Sequence, residues 1–137
     1  IINVQGDQPF IDPAQINYLC QHLTKRIEIL TLIKKITKAE AINSNTVKAV
    51  ISKKNTALYF SRVAIPYNAN QFHKHIGIYA FRYDFLKKIS LLKPSSIEMA
   101  ETLEQLGWLY NGLKINTLET DQDTISIDVR EDLKKIT

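Results

Sequence analysis

Two aspartates far apart in the chain each follow a strand-like run, a position from which both could bind one metal ion. Asp7 follows the apolar run at residues 1–4, and Asp128 follows a strand-like run at residues 124–127. If both strands end at one sheet edge, the two carboxylates can hold a single Mg²⁺, which completes its shell with phosphate oxygens and water. The alternative is that each aspartate only caps a turn or the next helix, which is the commoner role of an isolated Asp.

An arginine and two histidines lie in the middle of the chain. Arg62 directly follows a strand predicted over residues 57–61, and its fork of donors suits a carboxylate or a phosphate, although a solvated charge is the simpler interpretation. His73 and His75 are two residues apart and so share one face of a strand. With no third ligand nearby, hydrogen bonding or solvent exposure is favoured over a zinc site.

The clearest helix prediction covers residues 95–111. Ser95 and Glu98 form a capping box at its start, and Gly112 supplies a left-handed residue after its end. The apolar stripe of this helix is Ile97, Ala100, Leu103, Leu106 and Leu109 or Tyr110. The polar face beside it is Glu101, Glu104, Gln105 and Trp108. Such a face is either solvated or lines a pocket, where its oxygens would accept hydrogen bonds from sugar hydroxyls.

The bulk composition indicates one globular domain. The 137 residues are 45% hydrophobic and 23% charged, with a net charge of +4. The lysines are dispersed, which disfavours nucleic acid as a partner, and no apolar run approaches the roughly 20 residues that span a bilayer, so no membrane segment is expected. The single Cys20, expected to pack on the apolar stripe of a helix, cannot build a disulfide framework and fits a cytoplasmic protein.

The remaining elements alternate between helix and strand, which predicts an α/β sheet with an extension of mixed strand direction. Asp12, Pro13 and Gln15 signal a helix start with a capping box, and residues 1–4 read as the end of a buried strand. Strands are also predicted at 27–33, 47–52, 57–61, 75–81 and 114–118, the second and third of these forming a hairpin. Helices are predicted at 39–42, 83–89 and 130–136.

Taken in chain order, five segments resemble the CMP-KDO synthetases, the 3-deoxy-manno-octulosonate (KDO) cytidylyltransferases. The segments are Asn3-Val4-Gln5-Gly6-Asp7-Gln8-Pro9; Tyr59-Phe60-Ser61-Arg62 with Ile65-Pro66-Tyr67; His75-Ile76-Gly77-Ile78-Tyr79; Leu103-Glu104-Gln105-Leu106; and Ile127-Asp128 with Glu131-Asp132-Leu133. Each is weak alone, but together they cover nearly the whole chain in family order.

The resemblance implies a doubly wound nucleotidyltransferase fold with a mixed sheet, like that of nucleotide-diphospho-sugar transferases. The implied reaction converts CTP and KDO to CMP-KDO and pyrophosphate for lipopolysaccharide synthesis, in a homodimer joined through the strands at 47–81. Asp7 and Asp128 match the catalytic Mg²⁺ ligands. The positions that match those around KDO are Gln5, Arg62, His75, Tyr79, Glu104 and Gln105.

Departures from the family pattern qualify this expectation. Family members usually begin with a strand and an Arg/Ser/Lys-rich loop that grips CTP, so we expect the present chain alone to be inactive and to expose a sheet edge. Gly107 stands where an Arg commonly follows the Leu-Glu-Gln-Leu motif. Two alternatives stay open: a related sugar-acid cytidylyltransferase, such as one for sialic acid, and a non-catalytic dimerising remnant.

Overall fold

The computed structural model describes residues 1–6, 8–124 and 134. The strands are β1 (Ile2–Val4), β2 (Ile29–Ile36), β3 (Lys48–Ile51), β4 (Ala57–Ser61), β5 (Phe72–Phe81) and β6 (Ile115–Glu119). The helices are α1 (Pro13–His22), α2 (Lys38–Ala41), α3 (Tyr83–Ile89), α4 (Ser96–Glu101) and α5 (Glu104–Tyr110). Within these described ranges, no helix is long and apolar enough to cross a bilayer.

All the strands belong to one mixed sheet, as predicted. Its order is β4-β3-β5-β2-β6, and β1 also pairs with β5. The β2–β6 pair is parallel, whereas β5 is antiparallel to β1, β2 and β3. The hairpin expected around residues 53–56 is formed by β3 and β4.

The sheet is covered on both faces, which gives three layers. Successive β2 residues point to opposite faces: Leu30 and Leu32 pack in the cluster that contains Leu19 of α1, and Ile29 and Ile33 pack in the larger cluster under α3 and α5. This alternation explains why β2 reads as a continuous apolar run.

Several element predictions hold with small changes of boundary. The α3 prediction is confirmed, and Asp12 caps α1 by accepting a hydrogen bond from the Ala14 N–H at 2.8 Å. β5 begins at Phe72, three residues before its predicted start, and β2 runs over Ile29–Ile36. The capping box assigned to Glu98 is present. The helix predicted at 130–136 lies, apart from residue 134, outside the described residues.

Three local predictions for the first part of the chain were wrong. β1 exists but is largely exposed, because only β5 pairs with it among the described residues. Cys20 is exposed, since the inward face of α1 centres on Leu19. Gln15 does not complete a capping box: its side chain is buried, and its Nε2 lies 3.5 Å from the Gln122 carbonyl.

The helix predicted over residues 95–111 is two helices. Thr102 separates α4 from α5 with a left-handed backbone (φ 55°, ψ 45°). The cause is a distant side chain: Arg62 donates from Nε to the Glu101 carbonyl at 2.9 Å, so a tertiary contact replaces continuation of the helix. The break leaves Ala100 exposed, whereas Leu103 and Leu106 remain buried as expected.

Candidate functional site

A pocket opens where one edge of β5 changes partner. Along that edge, β1 pairs with the residues from Ile78 to Ala80, and β3 pairs with Lys74. The His75 N–H donates to the Val47 carbonyl at 2.8 Å, so the ladder continues only to this point. The gap between the two short partners leaves the edge of β5 around Gly77 facing the pocket.

This pocket has a volume of about 270 Å³ and a largely polar lining. The lining residues are Gln5, Gln8, Asn45, Thr46, Val47, Arg62, Lys74, His75, Gly77, Thr102, Leu103, Glu104 and Gln105. Five of the six residues expected around the sugar are therefore in one place: Gln5, Arg62, His75, Glu104 and Gln105. They come from four separate segments of the chain.

Gln5 enters the pocket beside Gly77. A Cβ atom added at Gly77 would lie 2.7 Å from Gln5 Oε1, closer than two such atoms can approach. The absence of a side chain at position 77 therefore makes room for the Gln5 amide against the β5 backbone. A glycine inside a strand often marks such a close approach.

His75 forms part of the pocket floor and is buried. Its Nε2 lies 2.9 Å from Thr31 Oγ1, on the neighbouring strand β2. Burial lowers the pKa of His75 to about 3, so the imidazole is neutral at physiological pH. The residue therefore offers a neutral hydrogen-bonding edge rather than a positive charge.

Arg62 supplies a positive charge at the rim, and its orientation is set by the end of α4. Its Nε also lies 3.1 Å from Thr102 Oγ1, and its Nη2 lies 3.5 Å from the Thr102 carbonyl. The Glu101 carboxylate accepts hydrogen bonds from the Arg62 N–H at 2.9 Å and from Ser61 Oγ at 2.5 Å. Glu101 thus fixes the arginine and does not line the pocket.

Glu104 and Gln105 reach the pocket because α5 starts anew after Thr102. Glu104 is exposed, and Gln105 is 4% exposed. The prediction that Glu101, Glu104, Gln105 and Trp108 share one polar face was wrong, because the break at Thr102 puts Glu101 at the end of α4 and the other three residues in α5. Trp108 is buried in the main core.

Tyr79 lies behind the floor. It is 1% exposed, and its ring centroid is 5.4 Å from that of His75 and 5.0 Å from that of Trp108. Tyr79 therefore contacts the lining residue His75 without lining the pocket itself, and its ring belongs to the hydrophobic core.

The two predicted metal ligands, Asp7 and Asp128, lie outside the described residues. Among the described lining residues, Glu104 is the one carboxylate. No cluster of three or more His, Cys, Asp or Glu side chains suited to a metal ion occurs in the described part of the chain. His73, the other member of the histidine pair, lines a different surface pocket, together with Tyr18 and Glu119.

Comparison with known families gives this pocket a context. Residues 1–115 match the family model described as Cytidylyltransferase. The chain belongs to the cytidylyltransferase family.

Individual relatives agree with this assignment. The chain is similar to proteins named 3-deoxy-manno-octulosonate cytidylyltransferase from Cytophaga hutchinsonii (49% identity, 100% of this chain and 60% of the relative) and Rickettsia rickettsii (43% identity, 98% and 56%). A similar solved structure is that of CMP:2-keto-3-deoxy-manno-octonic acid synthetase complexed with CTP. It has a TM-score of 0.89 and 40% identity, covering 98% of this chain and 58% of that one. The chain thus spans about 60% of the length of its cytidylyltransferase relatives, and its nucleotidyltransferase fold is the expected one.

Sequence reasoning missed several residues at this cytidylyltransferase pocket. Gln8 was part of the Asn3–Pro9 segment but not among the predicted binding residues, yet it is buried and lines the pocket. Lys74 also lines it, while donating to Asp123 at 2.8 Å. Val47 was predicted only as the start of a strand, and Asn45 and Thr46 were not singled out. The glycine inside the predicted strand 75–81 was a usable signal, because it marked the close approach of Gln5.

Gly107 has a structural role in this cytidylyltransferase chain. A Cβ atom at this position would overlap Glu98 Oε2, the same atom that accepts the Ser95 N–H at 3.2 Å in the α4 capping box. The carboxylate of Glu98 therefore packs over the bare backbone of α5. An arginine here would require Glu98 to move.

Proposed function

We propose that the full-length protein containing this chain is a CMP-KDO synthetase that transfers a cytidylyl group from CTP to KDO. The observation that carries the proposal is the meeting of Gln5, Arg62, His75, Glu104 and Gln105 in one pocket. These residues match family positions around the sugar, and they come from segments that only the folded sheet brings together. The similarity to named KDO cytidylyltransferases supports the same conclusion.

The chemistry of the pocket suits an acidic sugar. The Arg62 guanidinium, already oriented by Glu101 and Thr102, provides donors for a carboxylate. Glu104 accepts hydrogen bonds from sugar hydroxyls, and the amides of Gln5 and Gln105 can both donate and accept. Neutral His75 adds a hydrogen-bonding group without a second charge.

In the proposed reaction, the anomeric hydroxyl oxygen of KDO attacks the α-phosphorus of CTP. A new bond forms between that oxygen and the α-phosphorus, the bond from the α-phosphorus to the oxygen that bridges to the β-phosphate breaks, and the hydroxyl proton passes to water. CMP-KDO and pyrophosphate result. The contribution of the pocket residues is positioning: they hold the sugar so that one hydroxyl faces the phosphorus.

Mg²⁺ is part of this proposal through Asp7 and Asp128, whose carboxylates are the ligand type that magnesium prefers. When bound, the ion would neutralise the charge of the triphosphate. CTP as the nucleotide is supported by the similar synthetase that was solved in complex with it.

The setting of the reaction is also proposed. Supply of CMP-KDO for lipopolysaccharide assembly places the protein in the cytoplasm, where CTP is available. A homodimer joined through the strands at 47–81 is supported by three exposed apolar side chains on or near that extension, Leu58, Val63 and Tyr67.

The test is a pyrophosphate-release assay of the full-length protein with CTP, Mg²⁺ and either KDO or sialic acid. We expect turnover when the sugar is KDO and none when it is sialic acid. Arg62→Ala should raise the KM for KDO at least about 10-fold, the effect of losing a charge-assisted hydrogen bond. The matched control is Arg26→Ala, which removes an exposed arginine away from the pocket. Turnover of sialic acid without KDO, or no turnover with either, would overturn the proposal.

A further inference from the structure

A buried lysine lies directly behind the pocket wall. Lys48, the first residue of β3, is 0% exposed. Its Nζ donates to the backbone carbonyls of Asn43 at 2.8 Å, Arg62 at 2.5 Å, and Thr46. An ammonium group has three N–H donors, and here each one meets a carbonyl oxygen. A lysine is almost never fully buried without such partners.

Two of the three carbonyls, those of Thr46 and Arg62, belong to residues that line the pocket, and the third, that of Asn43, lies three residues before Thr46. Thr46 and the adjacent Asn45 line one side, and Arg62 lines another, whereas Lys48 itself is not a lining residue. The ammonium therefore ties the segment at 43–46 to the chain that follows β4. Without it, the Arg62 and Thr46 carbonyls would lose this donor, and the Asn43 carbonyl would keep the Thr46 N–H, at 3.1 Å.

Arg62 is held from two directions. Lys48 binds its carbonyl, and Glu101 binds its N–H at 2.9 Å. Its side chain is then aimed by the Nε bond to the Glu101 carbonyl. Among the described residues, no hydrogen bond uses the Arg62 Nη1. The main chain of this residue is thus fixed at both polar groups, while part of the guanidinium remains available to a ligand.

We propose that Lys48 is a positioning residue for sugar-acid binding, which acts by holding the backbone of Arg62 and the segment at 43–46 in place. The proposal rests on the function proposed above, in which Arg62 receives the carboxylate of the sugar. Lys48 performs this task as an ammonium, because a neutral amine has only two N–H donors for three carbonyls.

The local electrostatics make this support sensitive to pH. Burial, followed by the nearby positive charge of Arg62, lowers the pKa of Lys48 to about 8, and the Glu101 carboxylate opposes this shift. Lys74, opposite Lys48 on β5, is paired with Asp123 at 2.8 Å. Above pH 8, Lys48 loses a proton, and one of its three carbonyls loses its donor.

The first experiment compares Lys48→Met with Lys54→Met in the full-length protein. Methionine keeps most of the buried stem and removes the donors, while Lys54 is an exposed lysine of the same hairpin. We expect Lys48→Met to raise the KM for KDO about 10- to 100-fold, the range for loss of support behind a ligand-binding group. The KM for CTP should change less than about 3-fold, and Lys54→Met should resemble the wild type.

A pH series and a double variant distinguish positioning of Arg62 from a general contribution to stability, because each measures the KM for KDO. The KM of the wild type for KDO should rise between pH 7 and pH 9.5, and that of Lys48→Met should be high and independent of pH. Lys48→Met should add nothing in an Arg62→Ala background. An unchanged KM in Lys48→Met, or equal losses for KDO and CTP, would overturn the proposal.

The last measurement needs neither activity nor a variant that folds. The ¹⁵Nε chemical shift of Arg62 can be measured by carbon-detected NMR in the substrate-free wild type. It should change with pH along a titration curve whose midpoint is the pKa of Lys48. A shift that stays constant from pH 7 to pH 9.5 refutes the positioning role. If the wild type does not turn over KDO, the proposed function fails, and this signal still decides whether Lys48 controls Arg62.

Discussion

Nε2 of His75 lies 2.9 Å from Oγ1 of Thr31 in the interior of the sheet. The Thr31 hydroxyl has one proton, and the Ile78 carbonyl at 2.7 Å is its nearest acceptor. Thr31 must then accept from His75, which places the imidazole proton on Nε2. This leaves the Nδ1 lone pair as the hydrogen-bond acceptor of the ring.

The same burial predicts how stability depends on pH. The pKa of His75 is about 3 in the folded protein, against an ordinary 6.5. Between these values the unfolded chain binds the proton and the folded chain does not, so His75 makes the protein less stable as pH falls from 6.5 towards 3. The slope from this one group is at most about 1.4 kcal/mol per pH unit.

Chemical denaturation of the wild type and of His75→Gln at pH 6.5 and pH 4.5 measures this contribution. The wild type should lose more stability than the variant over that interval. Equal losses would show that His75 takes up a proton in the folded state.

Gly77→Ala should weaken sugar binding without unfolding the protein. The backbone of Gly77 is not left-handed, so alanine is tolerated there, but the new Cβ would displace the Gln5 amide. We expect the KM for KDO to rise about 10-fold, as for the loss of one hydrogen bond to the ligand. Gln5→Ala is the matched variant. The double variant should be no worse than Gln5→Ala, and additive effects would contradict this mechanism.

Asp7→Asn and Asp128→Asn test the magnesium prediction. Each substitution keeps the size of the side chain and removes a charged ligand oxygen, so kcat should fall more than about 100-fold in the full-length protein. Circular dichroism and the melting temperature should stay close to those of the wild type. Near-normal turnover in either variant would exclude that aspartate as a metal ligand.

The effect of Gly107→Ala on the free energy of unfolding should differ between the wild type and a Glu98→Ala background. Alanine is a better helix former than glycine by about 1 kcal/mol, but in the wild type its Cβ displaces the Glu98 carboxylate from the capping box. In a Glu98→Ala background, the same substitution should therefore stabilise the protein by about 1 kcal/mol. Denaturant titration of the four proteins completes the cycle. An equal gain in both backgrounds would show that Glu98 and Gly107 are independent.

Local sequence signals predicted those elements whose causes are local. α3 and the β3–β4 hairpin form where the apolar spacing and the turn residues indicated. The break at Thr102 has no such signal, because its cause is the side chain of Arg62, 40 residues earlier in the chain. Ser95, Glu98 and the apolar spacing after them are consistent with one uninterrupted helix.

The candidate site shows the same division. Arg62, His75, Glu104 and Gln105 were recognisable as polar residues in suitable elements, but only the resemblance to a family placed them together. The gap along β5 depends on where β1 and β3 stop pairing with it, and no local sequence pattern predicts that point. Lys48 was missed altogether, because a lysine that begins a strand gives no sign that its ammonium will be enclosed by carbonyls.

The ring contacts beneath the pocket bear on how its specificity can change. His75 touches Phe60, with ring centroids 4.9 Å apart, and through Tyr79 it is continuous with the main core. A substitution in this floor therefore also perturbs the packing that keeps the protein folded. Asn45 and Glu104 are exposed at the rim and do not belong to this packing. Divergence towards other acidic sugars, in nature or by directed evolution, is therefore expected to proceed through the rim while the aromatic floor stays constant.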